Sequence, residues 1–455
     1  MKTLLVFPRF KYPSGDPPLG VAYLAASLRA QGLDADVFDA TFVRDPLAAL
    51  REKLSHTRYD LLGITALTSM LDAVRDIAAL GKQVSPHTRI VAGGPHATVD
   101  PEGTLALDGV DAVALGEGEI ILPELVRSGL CLEGQPGFWF RRDGEIVRNP
   151  SADCIADLDA VPFPAWDLLD MKQYLSLWYQ LDAIRPGLKG TSVVASRGCP
   201  FNCAYCQPTL RTVFGTKVRR RSPGNIIAEL RELKERYHID GVMWLDDTFL
   251  VDRAWMRELC EGMIAAGLGL LWGANVRADV ADRESLALMR EAGLRVMHVG
   301  IESATQRILD EVYQKGITVE QVRRTVALGR EIGLSVRGYF MIGAPGETEE
   351  EARATVRLAN ELPLDDVTFS ITTPLPHTHL YENTKHLVDR EFSSFDYYKT
   401  PVYKAGITIP PRKLDRIKKM GYLSFYLGRR RLWRTVKSVI GPSGVQRMLL
   451  KLKRF

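Results

Sequence analysis

Thiols and imidazoles are scarce in this chain of 455 residues, which has six cysteines and eight histidines. Three of the cysteines, Cys131, Cys154 and Cys260, are scattered, and a lone cysteine is more often a small buried hydrophobe than a ligand. No apolar stretch runs uninterrupted for the length of a membrane span, and Pro8 and Arg9 cut the first apolar run far short of a secretory leader's core. Low-complexity tracts and short-period repeats are missing, which argues against fibrous or disordered classes. No Gly-x-Gly-x-x-Gly follows the first strand-like run, so a dinucleotide site is disfavoured. The expected home is a reducing cytoplasm.

What is present begins with composition. At 46% hydrophobic and 25% charged residues the chain can build two or three globular cores. The net charge of +4 hides an asymmetry: Pro411 to Phe455 carries 14 Lys/Arg against one Asp, or +13, leaving 4 − 13 = −9 for the preceding 410 residues. Pieces 414–426 and 432–440 interleave Lys and Arg with Leu, Ile, Val, Tyr, Phe and Trp, and Gly441-Pro442 separates them from 445–452. The pattern predicts a helical tail touching an anionic membrane surface, with a helical appendage packed on the protein as the alternative.

The remaining cysteines are clustered. Ser196-Arg-Gly-Cys-Pro-Phe-Asn-Cys-Ala-Tyr-Cys-Gln207 places Cys199, Cys203 and Cys206 in one CxxxCxxC loop. Three thiolates can hold three irons of a [4Fe–4S] cubane and leave the fourth open to chelate a small molecule. Structural zinc wants four ligands, commonly in two pairs, and no second pair or nearby histidine follows. A disulfide framework sits badly with an odd trio.

Around that loop the pattern is α/β. Residues 1–134 alternate apolar strand runs (3–7, 35–38, 60–65, 88–92, 111–115) with helical segments, predicting a Rossmann-like doubly wound sheet. Ligands of such sheets lie at the carboxyl ends of the strands, where Thr65, Ser69, Gly93, Gly94, His96, Gly116 and Glu117 fall. Residues 135–190 read as a hairpin, with an Asp143-Gly144 turn, and a proline-rich linker. Residues 191–380 show six strand–helix units, at 192–196, 241–245, 270–275, 296–301, 335–342 and 367–372, which predict a partial (β/α)6 barrel. Residues 381–455 are predicted to form a basic helical C-terminal region.

The chain resembles the cobalamin-binding radical S-adenosylmethionine (SAM) enzymes, a group including hopanoid methylases and the anaerobic magnesium-protoporphyrin cyclase. The resemblance spans residues 1 to about 375. It rests on the cysteine loop with Pro17-Pro-Leu-Gly-Val-Ala-Tyr-Leu-Ala25, Gly93-Gly-Pro-His-Ala97, Gly116-Glu-Gly-Glu119, Leu158-Asp-Ala-Val-Pro-Phe-Pro-Ala-Trp166, Asp246-Asp-Thr-Phe249, Gly300-Ile-Glu-Ser303 and Gly343-Ala-Pro-Gly-Glu-Thr348, in that family order.

That resemblance implies three cofactors, a [4Fe–4S] cluster on Cys199, Cys203 and Cys206, SAM, and cobalamin. It casts Asp246 and Asp247 as acceptors for the SAM ammonium, Arg277 as partner of its carboxylate, and Glu302 as a ribose or ammonium contact. The Asp-x-His-x-x-Gly string that supplies an axial histidine in many cobalamin proteins is missing, and 7–20 holds no histidine, so cobalamin is expected base-off without that ligand. His96 is assigned a supporting or tail-contact role. The implied activity is methylation of an unactivated carbon of a hydrophobic or natural-product substrate, by a 5′-deoxyadenosyl radical and methylcobalamin, with an electron donor such as flavodoxin or ferredoxin. The alternatives are cyclisation, oxidation or rearrangement without methyl transfer, and a cobalamin or iron–sulfur sensor with a nucleic-acid-binding tail, which a full SAM-site pattern disfavours. A methylthiotransferase is disfavoured because no second cysteine trio precedes Cys131. Tyr174, Trp178, Tyr179, Arg211, Phe214, Tyr339, His377 and His379 are candidate residues about the barrel mouth, and none is assigned catalysis.

Overall fold

The computed structural model describes residues 1–8, 15–396, 401–404, 409–428 and 431. Its first sheet has seven strands: β1 (Lys2–Phe7), β2 (Asp34–Asp39), β3 (Leu61–Thr65), β4 (Arg89–Gly93), β5 (Ala112–Ala114), β6 (Phe138–Arg142) and β7 (Glu145–Arg148), in the order β2-β1-β3-β4-β5-β6-β7. The first five strands are parallel. Helices cover both faces, so strand residues such as Leu4, Leu5, Leu62, Ile64, Val91 and Ala92 are buried on either side, as a parallel sheet requires. The 2-1-3-4-5 order reverses direction between β1 and β3, and ligands bind beyond the strand ends at such a switch point. The hairpin assigned to the linker instead continues this sheet: β6 pairs antiparallel with β5, and β7 with β6.

The second unit opens with β8 (Gly190–Val193). A two-stranded ribbon of β9 (Ser196–Arg197) and β10 (Arg219–Arg220) then brackets the cysteine loop. Strands β11 (Gly241–Trp244), β12 (Leu271–Val276), β13 (Leu294–Glu302), β14 (Ser335–Ile342) and β15 (Asp366–Ile371) complete a six-stranded parallel sheet with β8, in sequential order. The helices between them start where the sequence supplies caps. Asp252, Asp282, Thr318 and Thr348 each accept an N–H from the first turn, and Thr348 forms a full capping box with Glu351. Between the helices and the outer face of the sheet lies the largest core, with Trp244, Phe249, Trp272, Phe340 and Phe369 almost wholly buried.

The described part of the tail follows the alternative, a helical appendage packed on the protein. Its first piece is the helix Pro411–Tyr426, where Leu414, Ile417, Tyr422 and Phe425 are buried against the helix Glu349–Glu361 and β15, and Tyr422 Oη accepts the Phe369 N–H at 2.9 Å. Burying such a side chain is worth about 1.5–3 kcal/mol. A surface Lys or Arg near an anionic leaflet gains only about 1 kcal/mol. Packing therefore claims one apolar stripe, and Met420, Leu423 and Leu427 stay exposed with Arg412, Lys413, Arg416 and Lys419. The pieces 432–440 and 445–452 lie outside the described residues. No helix among the described residues is long and apolar enough to cross a membrane.

Candidate functional site

The cysteine loop leaves the barrel at the carboxyl end of its strands and is pinned on both sides. Ala204 N–H donates to the Tyr313 carbonyl at 2.8 Å, while the backbone amides of His379 and Leu380 donate to the Gln207 and Ala204 carbonyls at 2.6 and 2.8 Å. Candidate His379 thus supports the loop through its main chain. All three thiols are free, and burial pushes those of Cys199 and Cys206 upward, with the Cys203 charge adding to both. Crowded thiolates of this kind repel one another until a cationic centre relieves them. Among the described residues no three His, Cys, Asp or Glu side chains close on a single metal ion.

Arg277, just beyond β12, lies against this loop. Its guanidinium stacks 3.9 Å from the Phe201 ring centroid, Nη1 donates to Cys203 Sγ at 3.3 Å, Nη2 donates to the Lys315 carbonyl, and Nε sits 2.7 Å from Asp279. One donor is thus aimed at a thiol and another at the Lys315 carbonyl, so the guanidinium is fixed beside the cysteine loop.

The two aspartates after β11 part company. Asp246 is buried and accepts from Ser196 Oγ at 2.5 Å and Ala195 N–H at 3.1 Å, so it ties β11 to the start of the cysteine loop rather than facing a ligand. Asp247 points to the open mouth with no hydrogen-bond partner among the described residues. Surrounding protein, and then the Asp246 charge, push its carboxyl up to about 6.

Glu302 ends β13 at φ +65, a left-handed conformation rare for a side chain of this type, and the β13–β14 register shifts just before it. Its Oε1 accepts from Lys315 Nζ at 2.6 Å and from Tyr205 Oη at 3.2 Å, and Lys315 also donates to Tyr205 at 3.1 Å. A side chain at Gly300 would place Cβ 2.7 Å from both Glu302 Oε1 and Lys315 Nζ, so the pair fits only above glycine. Sequence reasoning missed Lys315 altogether. Only the fold carries it back across the barrel mouth to Glu302.

At the first sheet's carboxyl edge, Thr65 ends β3, Ser69 lies in the turn Thr68–Met70, and Gly93 and Gly94 follow β4. Gly94 has φ +99, and a Cβ there would come 3.3 Å from the Ala66 carbonyl, so the chain stays low and leaves the strand ends open. Gly116, φ +81, has nothing within 4 Å of an added Cβ. These small residues fit a large flat ligand lying over the edge.

His96 and Glu117 do not join them. The His96 ring is buried, with Nδ1 3.0 Å from Thr68 Oγ1, Nε2 3.6 Å from Asp100 and its edge toward Phe392. Burial lowers its pKa to about 4, so it is a neutral support held through Nδ1. Glu117 is also buried. It accepts from Arg197 Nη1 and Arg219 Nη1 at 2.6 Å each and from Ile155 N–H at 2.8 Å, while Arg197 Nη2 reaches Glu119 at 2.5 Å. This clamp joins the ribbon flanking the cysteines to the loop after β5. Tyr174 and Trp178 are packing residues, Tyr174 bonding to Asp39 and Thr41 and Trp178 lying beneath Gly190.

Two family descriptions match, the Radical SAM superfamily over residues 193–359 and the B12 binding domain over 11–126. An uncharacterised methyltransferase of Pyrococcus horikoshii is 34% identical over 94% of this chain and 93% of its own length. An anaerobic magnesium-protoporphyrin IX monomethyl ester cyclase of Rubrivivax gelatinosus is 28% identical over 94% of this chain and 78% of its own. Among solved structures, the radical SAM methyltransferase TsrM of Kitasatospora setae, with cobalamin and a [4Fe–4S] cluster bound, superposes with a TM-score of 0.71 at 20% identity. That match covers 92% of this chain and 82% of TsrM.

Proposed function

Since the chain belongs to the cobalamin-binding radical SAM enzymes, with a [4Fe–4S] cluster, SAM and cobalamin as cofactors, we propose that it methylates an unactivated carbon of a hydrophobic or natural-product substrate. The observation that carries this reading is the clamp of Arg197 and Arg219 on Glu117, because it ties the ribbon flanking the cysteine loop to the strand ends of the first sheet. When bound, the cofactors supply hydrogen-abstracting radical chemistry and a transferable methyl group. This chain's residues do the placing. Cys199, Cys203 and Cys206 hold the cluster, with Arg277 directing an N–H at Cys203. Asp247 receives the SAM ammonium. Glu302, oriented by Lys315 and Tyr205, takes a ribose hydroxyl. Thr65, Ser69, Gly93, Gly94 and Gly116 border the corrin and its tail. The Phe392–Ser394 turn of the 376–396 segment packs on Thr68–Met70 beside the strand ends of the first sheet. A small one-electron donor such as flavodoxin or ferredoxin completes the cycle.

The cyclase relative favours a second reading, radical cyclisation or oxidation with the same cofactors and no methyl transfer. Reconstituted enzyme turning over in an extract of cells lacking the gene separates the two. Methylation forms S-adenosylhomocysteine alongside 5′-deoxyadenosine, and the second reading forms only the latter. Cys206→Ala serves as the blank, and near-normal SAM cleavage by it would end the cluster assignment.

A further inference from the structure

We propose that the inward face of β12–β15, floored by His298, is the substrate pocket, and that it takes a molecule presenting a neutral hydrogen-bonding group, such as a hydroxyl, to His298 Nε2. This rests on the radical SAM reading and extends it to the substrate's chemistry.

Alternation along β13 puts His298 and Gly300 on the face of Glu302, below the cluster end of the barrel. In register beside them stand Arg337 and Tyr339 on β14, then Asp366 and Thr368 on β15, with Met341 and Ser370 one layer above and Asn275 opposite His298 on β12. The two faces of the sheet are unequally covered. Outward residues Val299, Ile301, Phe340, Ile342 and Phe369 are buried, whereas inward Asn275, Tyr339, Met341, Thr368 and Ser370 are only half-buried. Leu245, following β11 on the same face, is 42% exposed. An apolar plug of Trp178, Leu181, Met243 and Val296 closes the bottom. Side chains of both polarities on this inward face are thus reached by solvent from the cluster end of the barrel.

Its floor has hydrogen-bonding capacity to spare and little net charge. Arg337 pairs with Asp366 at 2.7 Å, and Tyr426 donates to the same carboxylate. His298 Nδ1 lies 3.2 Å from Tyr339 Oη, while its Nε2 and Arg337 Nε are buried with no hydrogen-bond partner among the described residues. Native proteins rarely leave such groups unmatched, and a ligand is one way of matching them. Burial, together with the Arg337 charge, holds His298 neutral. A carboxylate or phosphate entering here finds the Arg337 charge already answered by Asp366. An uncharged oxygen can accept from Arg337 Nε and bond His298 without adding charge.

The test uses the full-length, anaerobically reconstituted protein with SAM and cobalamin, and three probes of one shape: 2-naphthol, naphthalene and 2-naphthoate. Calorimetry is expected to show 2-naphthol binding at least tenfold tighter than 2-naphthoate. His298→Phe, which keeps the ring, is expected to weaken 2-naphthol about tenfold and naphthalene hardly at all, as loss of one buried hydrogen bond predicts. Should that variant misfold, nitrogen NMR of wild type with labelled histidine still reads one imidazole of the eight shifting on 2-naphthol addition and none on naphthalene addition. Equal affinity in His298→Phe, tighter binding of the anion, or no binding of 2-naphthol to wild type overturns the pocket. SAM cleavage by the same wild-type preparation reports separately on the reading beneath it.

Discussion

Lys315→Met offers the sharpest test of how the SAM end of the barrel is held. Lys315 and Glu302 are 7% and 6% exposed, and the lysine bonds both the carboxylate and Tyr205 Oη. Removing one member of a buried pair strands the other charge, at about 3–5 kcal/mol. Tyr205 Oη still donates to Glu302, at 3.2 Å, which favours the lower end. For a unit of barrel size each kcal/mol moves Tm by roughly 2–4 °C, so the barrel transition is expected to fall by about 6–20 °C in differential scanning calorimetry. Adding Glu302→Gln removes the stranded charge and should recover much of the loss, although SAM affinity stays low in both variants. A Lys315→Met protein melting within about 2 °C of wild type, or a double variant less stable than the single, would refute the claim that the pair is a stability determinant.

Asp247 carries a pH signature. Because its folded-state pKa is raised to about 6 from an ordinary value near 4, the folded form binds the extra proton between those limits, and stability falls as pH rises through that window. Asp247→Asn is therefore expected to melt higher than wild type at pH 7.5, to lose that advantage near pH 4, and to bind SAM more weakly; an equal melting temperature at pH 7.5 contradicts the assignment. With His96 buried and its Nδ1 held by Thr68, paramagnetic resonance of bound cob(II)alamin should lack nitrogen superhyperfine splitting, and clear splitting would return His96 as an axial ligand.

Periodicity alone was enough for much of the architecture. Five parallel strands at the amino end and six in the barrel fall within a few residues of the apolar runs that announce them, because local alternation and capping set where strands and helices start. The CxxxCxxC loop was legible for a similar reason, since its three ligands are neighbours in sequence. Other features depend on contacts between segments far apart in the chain. Asp246 and Asp247 are adjacent letters, yet Ser196 captures one and leaves the other facing the mouth. Glu117 reads as a strand-end ligand contact until Arg197 and Arg219, 80 and 102 residues later, enclose it. The tail helix carries an interfacial pattern, and only the helix Glu349–Glu361 and β15 decide that its apolar stripe faces protein. Lys315 and His298 had no motif to mark them. The sequence by itself determined the element order and the cysteine trio, because short-range spacing encodes them, and its family resemblance implied the cofactor set. Tertiary structure alone decided which charges are spent on one another and which face a ligand, since a carboxylate's role depends on the partner that folding brings within hydrogen-bond reach.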